Sequence, residues 1–230
     1  MSQPLGSPPL LSTTGGDFSL GECRLTVGGR EWSVVYTAAV VTHEDEAKFL
    51  AEQAERLPYG VALWPAAIAL AHEIAIRADE FRGKRALELG AGTGLPGIVA
   101  AALGATVVQS DRNELALHVC KLNGTRNSSI GVEYRLADWA AWTDTERYDW
   151  IIGSDILYAD SLHSHLRRIF EGNLAAGGRV LIADPFRADS LPLLEALEAC
   201  GWRVTHSRWA IGEGTAVRPV AVYDLLHRPK

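Results

Sequence analysis

The chain of 230 residues is poor in cysteine, with only Cys23, Cys120 and Cys200. They are far apart and odd in number. That excludes a disulfide framework and a cysteine-based metal pattern, and it suits a reducing cytoplasm. No apolar run is long enough to span a bilayer, so no membrane segment is expected. An excess of positive charge is also missing. The net charge of −6 argues against broad attraction to nucleic acid or anionic lipid. No internal repeat is present. The start, MSQPLGSPPLLSTTGG, lacks the basic flank and apolar stretch of a secretion signal. Its Ser, Pro and Gly content reads as a loose tail. The glycosylation patterns at Asn123-Gly-Thr and Asn127-Ser-Ser are therefore read as chance.

What is present fits one soluble globular domain. Apolar residues make up 47% and charged residues 22%. Two β-like runs, 23–27 and 31–36, flank Gly28-Gly29-Arg30 and predict a hairpin. Thr42 could cap a helix over 43–57, whose first turn is acidic. A second helix is expected over 64–79. From Arg85 onward strands alternate with glycine-rich turns and helices. Strands are expected at 85–89, 106–110, 131–136, 149–154 and 178–184. Helices are expected at 95–103, 113–123, 161–171 and 189–200. Such alternation implies a parallel sheet covered on both faces. Two last strands, 202–209 and 220–227, lie too close in sequence to be anything but antiparallel. Pro219 is placed before the last strand, because proline cannot sit inside a central one. The expected fold class is α/β, a doubly wound, mostly parallel seven-stranded sheet with an N-terminal hairpin and helix extension. The expected divisions are a flexible tail over 1–17, the extension over 18–59 and the main domain over 60–230.

The most informative segment is Ala86-Leu-Glu-Leu-Gly-Ala-Gly-Thr-Gly-Leu-Pro-Gly97. An apolar strand runs into alternating glycines, Gly90, Gly92 and Gly94, and then a small-residue helix. Glycine permits positive φ and close approach of a ligand. Pro96 suits a first helical turn. Residues 92–97 satisfy G-x-G-x-x-G, a weak sign of a dinucleotide site. Glu88, however, would repel a pyrophosphate and suit a cationic amino-acid end. Asp111, with Arg112 beside it, ends the next strand about 20 residues on, where an acid accepts bonds from ribose hydroxyls. Its competing reading is a helix cap near Asn113. Asp138 and Trp139 follow the third strand, where they could meet a base, or be a surface acid beside a core tryptophan. The fourth strand delivers Ser154, Asp155 and Tyr158 to the same edge. On a helical turn Asp155 and Tyr158 would share a face and could hold an amine by charge and cation–π contact. The competing reading is a cap and a half-buried tyrosine. His163, His165 and the His72-Glu73 pair do not form metal sites. The seven tryptophans read as core.

These residues resemble the class I, seven-strand S-adenosylmethionine-dependent methyltransferases, and within them methyltransferase family 16. That family contains many protein-lysine methyltransferases and is also described as nicotinamide N-methyltransferase-like. The resemblance covers roughly 60–227. It rests on Leu63-Trp-Pro-Ala-Ala67, the loop from Glu88 to Gly94, Ser110-Asp111, Asp138-Trp139 and Ser154-Asp-Ile-Leu-Tyr158. It implies that Glu88, Gly90, Gly92 and Gly94 line the methionine part of S-adenosylmethionine. It implies that Asp111 holds the ribose and that Asp138 and Trp139 meet the adenine. Trp64 would pack beside the cofactor, and Ser154 would lie near the sulfonium. Asp155 and Tyr158 would be the catalytic pair facing the acceptor amine. The hairpin and first helices would help form the acceptor cleft. Asp184-Pro-Phe-Arg187 resembles a substrate-side loop, with Arg187 ranked below the rest. The implied partner is a protein lysine side chain, with a small-molecule amine as the alternative. A non-catalytic cofactor-binding protein and an NAD oxidoreductase are the competing classes.

Overall fold

The computed structural model describes residues 10–13, 16–37, 61–212 and 217–227. Strands β1 (Leu10–Thr13), β2 (Gly16–Val27) and β3 (Arg30–Thr37) form one antiparallel sheet in that order. After it come α1 (Pro65–Ile76), α2 (Ala78–Phe81), β4 (Arg85–Leu89), α3 (Leu95–Ala102), β5 (Thr106–Asp111) and α4 (Glu114–Arg126). The chain continues through β6 (Val132–Leu136), β7 (Tyr148–Ser154), α5 (Asp160–Asn173) and β8 (Leu174–Asp184). A 3₁₀ turn, Ala188–Ser190, leads to α6 (Leu191–Ala199), β9 (Trp202–Ile211) and β10 (Arg218–His227).

The main sheet has seven strands in the order β6-β5-β4-β7-β8-β10-β9. β4 pairs in parallel with β5 and β7, and β10 runs antiparallel to both its neighbours. β4, β5 and β7 are buried along nearly their whole length, as apolar strands covered on both faces must be. Residues alternate between two cores. Ala86, Val107 and Ile152 pack under α1 and α3. Leu87, Val108 and Ile151 pack under α5 and α6. The alanine-rich faces of α1 and α3 let the two helices share one core. The chain turns back between β4 and β7, so the loops after these strands flank the crevice where α/β sheets bind ligands. Among the described residues no helix is long and apolar enough to cross a membrane.

The class of fold is as the sequence predicts, and most strand limits agree within a few residues. Two expectations are corrected. Pro219 lies inside β10, opposite Ala210. The strand can hold it there because pairing to β8 begins only at Ala221, so at Pro219 one side of the strand is an edge. Part of the expected loose tail is strand: Leu10–Thr13 pairs with Gly16–Ser19. The composition of the first residues concealed this short run. The helix expected over 43–57 and the boundary at 59/60 lie outside the described residues.

The hairpin turns at Gly28-Gly29, both at positive φ (60° and 74°), as a two-residue turn between twisted strands requires. Its sheet packs on the main domain. Val27, Trp32 and Val34 join the core under α1 and α3. Two asparagines, Asn123 of α4 and Asn127 at its C-terminal cap, then pair with β3 as a neighbouring strand would. Asn123 accepts from Val35 N–H (2.8 Å) and donates to Val35 C=O (3.0 Å). Asn127 does the same with Ser33, at 3.0 and 2.7 Å. Both asparagines are buried, so neither can carry a glycan in this fold.

Asn127→Ala should therefore strand the amide and carbonyl of Ser33, at a cost of about 1–3 kcal/mol. Urea unfolding measures it. A loss within experimental error would show that the amide pairs do not hold the sheet.

Candidate functional site

The glycine loop lies at the carboxyl end of β4. Gly90, Gly92 and Gly94 have φ values of 63°, 56° and 77°. At Gly90 a side chain is excluded as well as strained. A Cβ there would meet Ile156 at 3.1 Å and the Trp139 ring at 3.2 Å. At Gly94 a Cβ would meet the Gln109 amide at 2.8 Å and the Cys120 sulfur at 2.9 Å.

Glu88 lies beneath this loop, one residue before the strand ends. It is fully enclosed. Its Oε2 accepts from Gly97 N–H (3.1 Å) and from the Gln109 amide (2.6 Å). Its Oε1 has no partner. Burial pushes its carboxyl up to about 8, against the lowering effect of the Gln109 and Gly97 hydrogen bonds. The first turn of α3 is thus already occupied by a carboxyl. Pro96 offers no N–H and the Gly97 N–H is taken. A pyrophosphate would find two of the first three N–H positions of the helix closed to it, Pro96 and Gly97.

Asp111 braces the loop from β5. One oxygen accepts from Gly92 N–H (3.1 Å) and the other from Asn113 N–H (2.9 Å). It is not the cap of α4. Asn113 is, and its side chain accepts from Leu115 N–H at 2.9 Å. Burial raises the Asp111 pKa. Exposed Arg112 lies beside it. Each Asp111 oxygen keeps acceptor capacity for ribose hydroxyls. Asp138 is exposed, and its side chain accepts from Ala140 N–H in the turn after β6. Trp139 is half-buried against Gly90. Trp64 stands at the start of α1, half-buried, with its carbonyl opening that helix.

Ser154 ends β7, and Asp155 follows in the left-handed region at φ 56°. Residues 155–159 are not helical. The helical-turn argument for Asp155 and Tyr158 therefore fails. Both still lie at the same edge, because they follow β7, which runs parallel to β4 as β5 does on its other side. Burial is the main cause of that phenol's raised pKa, though the ring is 43% exposed. The Asp155 carboxylate is already engaged. Arg187 donates to both of its oxygens, from Nε at 2.8 Å and Nη2 at 3.0 Å. Behind them, Asp184 accepts from Arg187 N–H at 2.7 Å, and burial pushes it up to about 6.

Sequence reasoning missed Gln109, Asn123 and the Asp155–Arg187 pairing. Gln109 had a signal: a lone amide in an apolar strand. Its register opposite Glu88 supplies the meaning. Asn123 ties β3 to the loop by donating to Thr93 C=O at 2.8 Å. Among the described residues no group of three or more His, Cys, Asp or Glu could hold a metal.

The sheet order and the loop define a class I methyltransferase. The profile of the lysine methyltransferase family matches residues 43–190, and the chain belongs to that family. It is an S-adenosylmethionine-dependent methyltransferase. It is 34% identical over 155 residues to protein N-lysine methyltransferase METTL21A of Danio rerio, covering 61% of this chain and 70% of the relative. It is 37% identical over 106 residues to histone-arginine methyltransferase METTL23 of Xenopus laevis, covering 44% of this chain and 45% of the relative. In fold it is similar to a 16S rRNA methyltransferase of T. thermophilus solved in complex with AdoMet and guanosine. That match has a TM-score of 0.62 and 17% identity, covering 91% of this chain and 51% of the other.

Two tests follow from the buried acids. Glu88 keeps its proton in the folded chain up to about pH 8, whereas the ordinary value is 4.5. Stability from this group is therefore full below the ordinary value and is lost as pH rises toward 8. Glu88→Gln removes that loss and should raise the unfolding free energy relative to the native chain at pH 8.5 but not at pH 4, by order of a few kcal/mol. Equal pH dependence in the two proteins would show that Glu88 is ionised when folded. Asp111→Ala should weaken S-adenosylmethionine binding roughly 10- to 100-fold through loss of charged hydrogen bonds. Calorimetric titration decides it, and unchanged affinity would refute the role.

Proposed function

We propose that this enzyme methylates the side-chain amine of lysine in a protein. The observation that carries the reading is the shared edge: β5 and β7 both run parallel to β4, so Asp111 at the end of β5 and the Ser154–Tyr158 segment after β7 open at the same end of the sheet. Membership of the lysine methyltransferase family and the METTL21A relatives support a protein lysine as acceptor. The net charge of −6 speaks against a nucleic acid.

The residues fit S-adenosylmethionine. An orphaned buried oxygen of Glu88 lies under the loop in which Gly90, Gly92 and Gly94 take the positive φ that other residues rarely adopt. In this reading Glu88 and the three glycines hold the methionine part, and a nearby cation would favour the ionised carboxylate. Asp111, with Arg112 beside it, holds the ribose. Asp138 and Trp139 meet the adenine, Trp64 packs alongside, and Ser154 lies near the sulfonium. When bound, the cofactor supplies a methyl group already activated by a positive sulfur. The protein's task is to align a lone pair with it and exclude water. A lysine must arrive neutral, although its free pKa is about 10.4. Tyr158 presents an exposed ring and hydroxyl to orient that nitrogen.

Host extract incubated with cofactor labelled on the methyl group tests the reading. Labelled protein bands that yield methyl-lysine on hydrolysis are expected. Label confined to small molecules would favour a metabolite amine as acceptor, and methyl-arginine would align the chain with its METTL23 relative.

A further inference from the structure

The Asp155–Arg187 pair is held from both ends in strained backbone. Among the described residues three non-glycines have positive φ: Ser128, Asp155 and Phe186. Two of these flank this one ion pair. Such residues persist only where the surroundings over-determine them. Asp155 is fixed by its N–H to Ala183 C=O at 2.7 Å. Phe186 is clamped by the Arg208 guanidinium over its ring (5.4 Å) and by the edge of His206 (6.4 Å). Arg187 N–H is bound to Asp184, and the Ser190 hydroxyl donates to Arg187 C=O at 2.7 Å. A loop built this firmly holds the Arg187 guanidinium against the Asp155 carboxylate.

The placement conflicts with a simple picture in which Asp155 attracts a cationic acceptor. Both carboxylate oxygens are used. We propose that Arg187 is the charge-balancing residue of the acceptor site: it occupies Asp155 so that the site does not hold the acceptor as an ammonium, and so selects the neutral amine. The inference rests on the reading of this chain as an amine methyltransferase. Among the described residues the charged and titratable groups near the pair are Asp184 from β8, Tyr158 from its own loop, Asp111 and Arg112 at the end of β5, and, around Phe186 and Asp184, Tyr223, His206 and Arg208 from β10 and β9. Asp184 adds a second buried carboxyl. Without Arg187 the Asp155 carboxylate loses the cation that donates to both its oxygens, and the local charge shifts toward stabilising a protonated acceptor.

The balance matters because only a lone pair can react. The acceptor nitrogen forms a C–N bond to the methyl as the C–S bond breaks. Sulfur keeps the bonding pair and becomes a neutral thioether, and the product carries the charge as a methylammonium. An acceptor bound as ammonium has no lone pair and blocks the step. Arg187 is thus a positioning residue that acts through Asp155.

The probe is n-butylamine, which carries the lysine side-chain amine. Its affinity at pH 7 is measured by NMR in the presence of S-adenosylhomocysteine, and its methylation is followed between pH 6.5 and 10.5. Arg187→Gln should bind butylammonium about 10-fold tighter at pH 7 and lower the KM. Its kcat near pH 7.5 should fall while recovering at pH 10, so that the acid limb moves about one unit alkaline. The double variant Asp155→Asn/Arg187→Gln restores the balance and should return the limb to its native position. If Arg187→Gln does not fold, Asp155→Asn reads the same balance with opposite sign, weaker butylammonium binding and an acid-shifted limb. An unmoved limb, or no gain in butylammonium affinity without Arg187, overturns the inference. Absence of methyl-lysine in labelled extract would defeat the functional reading instead, and leaves the order of the affinities to decide this one.

Discussion

The buried carboxyl of Glu88 is the contact on which the cofactor half of the molecule is built. It joins three elements in the interior: β4 through its own backbone, β5 through the Gln109 amide, and the first turn of α3 through Gly97 N–H. Each neighbour is constrained by it. Gly97 can carry no side chain, because a Cβ would run into the Glu88 carboxyl. Gln109 must reach both Glu88 and Gly94 C=O (2.8 Å), which fixes where the loop closes. Cys120 is pushed to a high thiol pKa first by burial and then by Glu88 and Asp111. A buried acid is costly, and this one is tolerated by staying protonated and hydrogen-bonded. The same property makes it responsive, since a cation arriving above the loop changes the balance that keeps it neutral.

From there the constraint passes outward to the loop and to the N-terminal sheet. Asp111 takes the Gly92 N–H, and Asn123 takes the Thr93 carbonyl while pairing with Val35. The hairpin is therefore attached to the glycine loop through one buried amide. Toward the β10–β9 edge of the sheet a second polar network fastens α1. Glu73 accepts from Arg77, Ser207 and Trp209, and Asp224 accepts from Arg77 and Arg179. Burial would raise the Glu73 carboxyl, but these donors bring it below its usual value. Such groups are stable inside because each has its partner, and removing one would strand the rest.

The sequence made local things legible and non-local things illegible. The glycine loop, the strands and the acids at their ends follow from patterns within about ten residues, and the periodicity that reveals them is local. Pro219 was misplaced because its tolerance depends on how far β8 runs beside β10. Gln109 was passed over because its meaning lies in the register of β5 against β4. Asn123 and Asn127 looked like chance glycosylation patterns, since nothing nearby shows that α4 faces β3. For Asp155 the spacing to Tyr158 suggested a helical turn. The backbone instead takes the left-handed region at Asp155, to meet an arginine from the next strand's loop.

That last difference follows from topology. β7 and β8 are parallel neighbours, so their carboxyl-end loops must lie side by side. β4 and β5 are neighbours on the other side of the point where chain order reverses. The edge therefore divides into two halves with different electrostatics. One half is a glycine cradle over a neutralised carboxyl, braced by Asp111. The other is a closed ion pair between Asp155 and Arg187, backed by Asp184. Tyr158 comes from the loop of the second half and feels charges from both. Two left-handed non-glycine residues cost about 1–3 kcal/mol each. The side chains of the pair, Arg187 and Asp155, are 20% and 7% exposed, so what the strain secures is a largely buried guanidinium set on both oxygens of one carboxylate. The geometry makes sense when the position of the guanidinium, and not the stability it returns, is what the loop is built to deliver.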